Sequence, residues 1–141
     1  MDFLKLMSDH FEIFIFTASS QNYANTIVNY IDPSGKYING ILTRVNCMET
    51  KNGFFIKDLR IIKNRELKNM IIVDNLAHSF GFQIENGVSI LEWHNDEKDS
   101  ELKYICDYLI EASVCEDVRI FNKERLKLRE MADFKVEDLD L

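Results

Sequence analysis

Two short apolar runs that end on polar residues constrain the fold of this chain more than any other feature. In the first, Glu12–Phe16 leads to Thr17–Ser19; in the second, Met70–Val73 leads to Asp74-Asn75. Runs with almost no polar residue are typical of β-strands buried on both faces, as in a parallel sheet. In an open sheet of this kind, ligands bind where the strands end. The sequence therefore predicts a buried sheet with hydroxyl, carboxylate and amide groups at its ligand-binding edge.

Predicted helices alternate with the predicted strands along the chain. A helix capped by Ser19 or Ser20 follows the first strand, and Asp32-Pro33-Ser34-Gly35 ends it. The other predicted elements are a helix end at 3–10, strands at 41–45, 54–56 and 88–91, a short helix or turn at 59–68, and helices at about 100–112 and 118–131. This alternation predicts an α/β fold with a mostly parallel sheet. We predict one domain over residues 1–131 and an acidic C-terminal tail over 132–141.

The charge balance argues against a nucleic-acid-binding protein. The chain carries 24 acidic and 17 basic residues and a net charge of −7, whereas nucleic-acid-binding proteins neutralise phosphates with a basic face. No apolar run approaches the ~18 residues needed to cross a bilayer, and the N-terminus has no signal-peptide pattern. The odd number and the spacing of Cys47, Cys106 and Cys115 do not match a zinc site. We therefore expect reduced thiols in an intracellular protein.

Each polar strand end has a functional and a structural interpretation. The backbone N–H groups of Ala18 and Ser19, with the Thr17 hydroxyl, would bind an anion at a helix N-terminus. Alternatively, these residues form an ordinary helix cap. Asp74 and Asn75 offer hard oxygen ligands that suit Mg²⁺, although Asp-Asn is equally suited to a turn that ends a strand.

Two cations lie between these strand ends. Lys57 follows the apolar run Phe54–Ile56, and Arg44 falls on the strand predicted at 41–45. Either side chain could be solvated at the surface. Alternatively, Lys57 would neutralise phosphate oxygens as a point charge, and Arg44 would bind them through a bidentate contact. We assign no ligand or general-base role to the three histidines, His10, His78 and His94.

Taken in order, these segments resemble one protein family. The resembling segments are Phe14–Ser19, Tyr23-Ala24, Asp32-Pro33, Arg44–Cys47, Phe55–Leu59, Ile71–Asn75, Glu85–Val88, Trp93 and Asp99–Leu102. This series is similar to the small C-terminal-domain (CTD) phosphatases of the haloacid dehalogenase superfamily, and Asp117-Val118-Arg119 is similar to their small phosphatase-like branch. The resemblance implies a Rossmann-like parallel sheet flanked by helices.

The resemblance also implies a Mg²⁺-dependent phosphatase that acts on phosphoserine or phosphothreonine in a protein or peptide, such as the repeat tail of RNA polymerase II. It implies that Thr17 binds phosphate, that Lys57 steadies a phosphoaspartate, and that Asp74-Asn75 completes the magnesium site. It further implies that Arg44 lies near the substrate phosphate and that Tyr23 helps form a pocket beside the substrate peptide. We expect Thr17, Lys57 and Asp74 to converge on one pocket.

The family's nucleophile has no counterpart in this sequence. In the family, the first aspartate of an Asp-x-Asp-x-Thr segment attacks phosphorus, and the second acts as general acid and then base. No Asp-x-Asp precedes the first strand here, and Asp2 and Asp9 cannot substitute. Leu76-Ala77-His78 also replaces the Ser-Pro that often follows the family's Asp-Asn pair. We therefore predict a truncated or inactive domain that lacks the first, central strand and does not hydrolyse its substrate.

The alternative is a non-catalytic interaction protein on the same fold, such as a relative of the receptor subunit of the mitochondrial inner-membrane import machinery. That role would normally require a transmembrane helix and a targeting segment, and the sequence shows neither. The genomic DNA upstream of Met1 would discriminate between the two. An in-frame Asp-x-Asp-x-Thr favours the enzyme, and an in-frame apolar span of about 20 residues favours the import receptor. The substrate protein and the oligomeric state stay open.

Overall fold

The structure is a computed structural model that describes residues 2–126, and the chain divides after Met48 into two compact units. Strands and helices alternate in the part described, which confirms the predicted α/β class. The predicted acidic tail at 132–141 and the predicted end of the last helix at 131 lie outside the described residues. The predictions of a single domain and of a missing central strand stay predictions.

The first unit is a strand–helix–strand arrangement preceded by a helix. Its elements are α1 (Asp2–Ser8), β1 (Ile13–Phe16), α2 (Gln21–Ile31) and β2 (Ile38–Leu42). The two strands pair in parallel, with Phe16 opposite Leu42. The ladder continues for one more bond, because the N–H of Thr17 donates to the carbonyl of Leu42 at 2.9 Å. As the sequence predicts, Thr17 therefore lies at the carboxyl end of a parallel strand.

Capping side chains define both ends of α2. The hydroxyl of Ser20 accepts the N–H of Tyr23 at 3.3 Å, which is the expected N-cap bond. At the other end Asp32 is only 3% exposed. Its carboxylate accepts three consecutive backbone N–H groups at 3.0, 3.0 and 2.9 Å, those of Lys36, Tyr37 and Ile38. Asp32 therefore fixes the turn from α2 into β2.

The prediction of a strand at 41–45, with Arg44 on it, is wrong. Strand β2 ends at Leu42, and Arg44–Asn46 is a 3-10 turn. The cause is a local competition for the backbone of Thr43. The side chain of Asn46 accepts the N–H of Thr43 at 2.9 Å, and the N–H of Asn46 donates to the carbonyl of Thr43 at 2.8 Å. These two bonds hold residues 43–46 in a turn.

The second unit contains short strands, 3-10 turns and three C-terminal helices. The short strands β3 (Met48–Glu49) and β4 (Phe55–Ile56) pair with each other. The remaining elements are β5 (Ile72–Asp74), β6 (Gly87–Ser89), α3 (Glu101–Tyr104), α4 (Cys106–Ser113) and α5 (Val118–Leu126). The helix predicted at 100–112 is therefore interrupted at Ile105. Strands β5 and β6 are parallel, with Val73 opposite Val88.

Four 3-10 turns surround the core of the second unit, namely Leu59–Ile61, Leu67–Asn69, Ala77–Phe80 and Ile84–Asn86. The buried side chains of Leu59, Ile72 and Phe80 form the core cluster of these elements. Buried side-chain amides donate hydrogen bonds to backbone carbonyls of the irregular segments around this cluster. For example, Asn86, which is 1% exposed, donates to the carbonyls of Leu67 and Met70 at 2.6 and 2.9 Å. None of the helices within residues 2–126 is long and apolar enough to cross a membrane.

Candidate functional site

The segment after β1 forms a hydroxyl-rich loop in front of helix α2. Thr17, Ala18 and Ser19 are half-buried. The hydroxyls of Thr17 and Ser19 lie 2.9 Å apart, and the N–H of Ser19 donates to the Thr17 hydroxyl at 3.1 Å. An anion that bound the N–H of Ser19 would therefore have to displace the Thr17 hydroxyl, which could itself turn to donate to the anion.

Arg44 lies directly against this loop. Its Nε donates to the carbonyl of Ala18 at 2.7 Å, and its own N–H donates to the carbonyl of Ser19 at 3.0 Å. The guanidinium is exposed. Although Arg44 does not lie on a strand, the structure brings it against Ala18 and Ser19 of the loop. Its anion-binding role stays a prediction.

Two further side chains complete the surroundings of the loop. Tyr23, the predicted pocket residue, lies on the first turn of α2 and is 61% exposed. Cys47, to which the sequence gave no specific function, has its thiol 3.8 Å from the carbonyl of Thr17 and 3.7 Å from that of Thr43. The thiol therefore helps to hold the loop against the turn that carries Arg44.

In the second unit, Lys57 and Asp74 form an ion pair. Lys57 follows β4, and its N–H donates to the carbonyl of Ser79 at 2.7 Å. Asp74 is the last residue of β5, and the Oδ1 atom of its side chain accepts the N–H of Leu76 at 2.9 Å. The Nζ of Lys57 lies 2.5 Å from Oδ2 of Asp74, and the two side chains are 13% and 7% exposed. Lys57 is therefore not the solvated surface lysine that was one of its two sequence interpretations.

His78 is a residue of this second group that sequence reasoning missed. It lies in the 3-10 turn Ala77–Phe80, four residues after Asp74, and its ring centroid is 4.6 Å from that of Phe54. Burial lowers the pKa of His78 below its ordinary value, while the Asp74 carboxylate raises it and the Lys57 ammonium lowers it. The spacing of four residues from Asp74 is the only sequence signal for this proximity.

The assignment of Asp74 and Asn75 as magnesium ligands stays a prediction, and these two residues alone would not complete a site. Asp74 and Asn75 offer carboxylate and amide oxygens, which Mg²⁺ prefers, and Asn75 is exposed. However, Oδ2 of Asp74 is bonded to Lys57. Within residues 2–126, no three His, Cys, Asp or Glu side chains cluster as metal ligands would. Mg²⁺ prefers six octahedral ligands, so Asp74 and Asn75 would hold at most part of its shell.

The three cysteines are free thiols. Burial, helped by the nearby Asp107 carboxylate, raises the pKa of Cys106, and burial is also the largest cause of the raised pKa of Cys115. A raised pKa disfavours the thiolate that a cysteine nucleophile requires. These two residues therefore give no support to cysteine-based catalysis.

The structure thus gathers the predicted residues into two groups, one in each unit. Thr17, Ala18, Ser19 and Arg44 are in contact in the first unit, and Lys57 contacts Asp74 in the second. The predicted convergence of Thr17, Lys57 and Asp74 on one pocket stays a prediction.

Comparisons with known proteins identify the family. The sequence profile of the "NLI interacting factor-like phosphatase" family matches residues 1–119. The chain belongs to this family. Among curated relatives, it is 42% identical over 130 residues to CTD small phosphatase-like protein 2 of Dictyostelium discoideum, an alignment that covers 92% of this chain and 22% of the relative. The predicted resemblance to CTD small phosphatases is confirmed.

A second curated relative is the mitochondrial import inner membrane translocase subunit TIM50 of Candida albicans, which is 35% identical over 135 residues, or 94% of this chain and 28% of the relative. Among solved structures, a fission yeast RNA polymerase II CTD phosphatase, Fcp1, bound to beryllium fluoride, matches with a TM-score of 0.56 at 22% identity. That match covers 96% of this chain and 35% of the Fcp1 chain, and it confirms the haloacid dehalogenase-like fold alone. The chain spans less than half the length of each of these three proteins.

Proposed function

We propose that this chain is the phosphate-recognising part of a protein phosphoserine/phosphothreonine phosphatase domain related to the RNA polymerase II CTD phosphatases. The observation that carries the proposal is the nearly buried Lys57–Asp74 pair at the ends of β4 and β5, in a member of a phosphatase family. An ammonium has three donors. One carboxylate can therefore orient Lys57 while another of its hydrogens bonds a phosphate oxygen.

The loop of the first unit supplies the neutral and cationic donors for a phosphate. Its hydroxyls and the Ser19 N–H already bond one another at 2.9 and 3.1 Å, so the donors are assembled before an anion arrives. Arg44 is held at the loop by its bond to Ala18 and adds a charge-assisted contact. The exposed ring of Tyr23 offers an apolar surface for the residues that flank the phosphorylated one.

Magnesium and hydrolysis are separate parts of the proposal. When bound, Mg²⁺ would neutralise phosphate charge, and Asp74 and Asn75 are the residues that would contribute to holding it. The printed sequence contains no Asp-x-Asp-x-Thr segment, and covalent phosphoryl transfer in this family requires that aspartate nucleophile. We propose that the 141-residue chain by itself binds a phosphorylated segment without turning it over.

The test measures binding and turnover on the same preparation. We expect a singly phosphorylated serine peptide to bind and Lys57→Met to weaken binding by about tenfold, because a charge-assisted bond is lost. The matched control is Lys51→Met, since Lys51 is an exposed lysine of the same unit. We expect no steady turnover of p-nitrophenyl phosphate with Mg²⁺. Turnover that disappears in Asp74→Ala would refute the inactivity, and equal binding by all three proteins would refute the phosphate site.

The second candidate is a non-catalytic interaction protein, and the match to TIM50 over 94% of this chain favours it. The two functions differ in what they recognise. A phosphatase-type site requires the phosphate on its ligand, whereas an import-receptor relative would bind an unphosphorylated segment equally well. Binding of paired phosphorylated and unphosphorylated peptides separates them, and the genomic DNA upstream of Met1 gives an independent test. We propose a nuclear or cytoplasmic location for the first function, and a mitochondrial location would favour the second.

A further inference from the structure

The basic residues of this acidic chain are unevenly distributed. Six of its 17 Lys and Arg residues fall within residues 51–68, beside two acidic residues, whereas the rest of the chain carries 22 acidic and 11 basic residues. Four of the six follow Lys57 in sequence and are exposed, namely Arg60, Lys63, Arg65 and Lys68. The first three fall within six consecutive residues. We call these three residues the basic turn. It is a local positive surface next to the lysine that the proposed function assigns to phosphate.

The backbone fixes the shape of the basic turn. Leu59, which is 4% exposed, anchors its beginning in the core, and the 3-10 turn Leu59–Ile61 leads out of the core to the surface. Asn64 has a φ of 61°, a left-handed conformation that asparagine tolerates better than most residues. Lys63 and Arg65 lie on either side of this tight bend, and Nη1 of Arg65 donates to the carbonyl of Asn64 at 2.9 Å.

Arg60 is held in place before any ligand binds. Its Nε and Nη2 donate to the carboxylate of Asp58 at 2.9 and 2.7 Å, and Gln83 donates to the same carboxylate at 2.9 Å. The guanidinium also lies 5.7 Å from the ring centroid of Phe82. Its third nitrogen, Nη1, takes no part in these two bonds to Asp58, and the Arg60 side chain is 63% exposed. A guanidinium with a fixed plane loses little conformational entropy when it binds an anion.

The spacing from Lys57 matches a short stretch of peptide. Arg60, Lys63 and Arg65 follow Lys57 by three, six and eight residues. At ~2 Å per residue in the 3-10 turn and at most ~3.3 Å elsewhere, the Cα atom of Arg60 lies no farther than roughly 9 Å, and that of Arg65 no farther than roughly 24 Å, from the Cα atom of Lys57. An extended ligand covers the longer of these distances in about seven residues.

We propose that the basic turn binds a second anionic group, either a phosphate or a carboxylate, within about seven residues of the phosphorylated residue of the segment that this domain recognises. This rests on the proposed function. It narrows the substrate class to acidic or multiply phosphorylated protein segments. A nucleic acid fits less well, because the positive surface is short and the rest of the chain is acidic and would repel a long polyanion.

The test uses the 141-residue chain and fluorescence anisotropy with four labelled ligands. They are a singly phosphorylated peptide, the same peptide with a second phosphate within the stated spacing, the same peptide with glutamate in place of the second phosphate, and a single-stranded RNA of equal charge. We expect the second phosphate to tighten binding by about fivefold, because it would form a few partly exposed charge pairs with the basic turn. Glutamate carries less charge and should tighten binding by less. Lys63→Gln/Arg65→Gln should abolish this gain and leave binding of the singly phosphorylated peptide unchanged.

The matched control is Lys103→Gln/Lys123→Gln, which removes two exposed lysines from α3 and α5 and should keep the gain. Circular dichroism establishes that both variants are folded. If the singly phosphorylated peptide binds but the second charge adds nothing, or if the gain persists in Lys63→Gln/Arg65→Gln, the basic turn is refuted and the proposed function stands. If no phosphopeptide binds, both fail. Tighter binding of the RNA than of the doubly phosphorylated peptide would overturn the inference in favour of a nucleic-acid surface.

Discussion

The Nζ of Lys57 and the Oδ2 of Asp74 lie 2.5 Å apart, and their side chains are only 13% and 7% exposed. Removing two charges from water costs several kcal/mol per ion, so a buried pair of this kind contributes little net stability. Its other effect is orientation, because Asp74 holds the ammonium of Lys57 where two strands end. Each of the two buried charges has the other as its counter-ion, so that removing one side chain should destabilise the fold through the charge that remains. The first prediction follows from this.

Asp74→Asn should destabilise the chain by about 2–4 kcal/mol, because it leaves the Lys57 ammonium buried without its counter-ion. Lys57→Met should cost a similar amount, whereas the double variant should cost clearly less than the sum. Urea unfolding measures all three free energies. The control is the exposed pair Arg125–Glu111, 3.1 Å apart with both side chains 55% exposed, where Arg125→Gln should cost about 1 kcal/mol or less. Additive effects at Lys57 and Asp74 would show that the two residues do not depend on each other.

The sequence reveals the features of this site that depend on position along a strand, because a buried strand followed by polar residues is a local pattern. Thr17 and Asp74 lie at strand ends as predicted. The sequence does not reveal features that depend on which of several possible contacts forms in the folded chain. Arg44 lies on a turn because one side chain, that of Asn46, captures the backbone of Thr43. His78 lies near the Lys57–Asp74 pair only because the segment after β5 folds back on β4 through the bond between Lys57 and Ser79.

Two glycines should respond differently to the same substitution. In Gly87→Ala the new Cβ would lie 2.3 Å from the ring of Phe80, which is 2% exposed and cannot move away. In Gly40→Ala it would lie 2.6 Å from the ring of Phe14, which is 37% exposed and can rotate into solvent. We expect Gly87→Ala to cost about 1–3 kcal/mol and Gly40→Ala clearly less, both measured by urea unfolding. Equal costs would mean that Phe80 is not confined.

Asp32 should link the stability of the first unit to pH. Its carboxylate accepts three backbone N–H groups, of which that of Ile38 contributes most to lowering its pKa. Because the folded pKa lies below the unfolded value, the stabilisation is present above about pH 4. It is lost as the pH falls through the folded pKa.

Asp32→Asn should lower the melting temperature at pH 7 and flatten its acid dependence. The control, Asp96→Asn, changes an exposed aspartate that accepts one local N–H, and an equal loss there would contradict the prediction.

His78 should produce a pH dependence of the same sign, in a higher range. Burial is the largest cause that lowers its pKa in the folded chain, so between that value and about pH 6.5 the unfolded chain binds more protons than the folded one. Stability should therefore decline as the pH falls from 7.5 towards 5.5. His78→Asn removes the titrating group and should flatten this decline.

Phe54→Ala removes the ring that lies 4.6 Å from His78, exposes the imidazole and should raise its pKa. NMR titration of His78 measures the pKa directly, and urea unfolding at each pH gives the stability. A His78 pKa at or above its ordinary value, or an unchanged pH slope in His78→Asn, would show that burial does not govern this histidine.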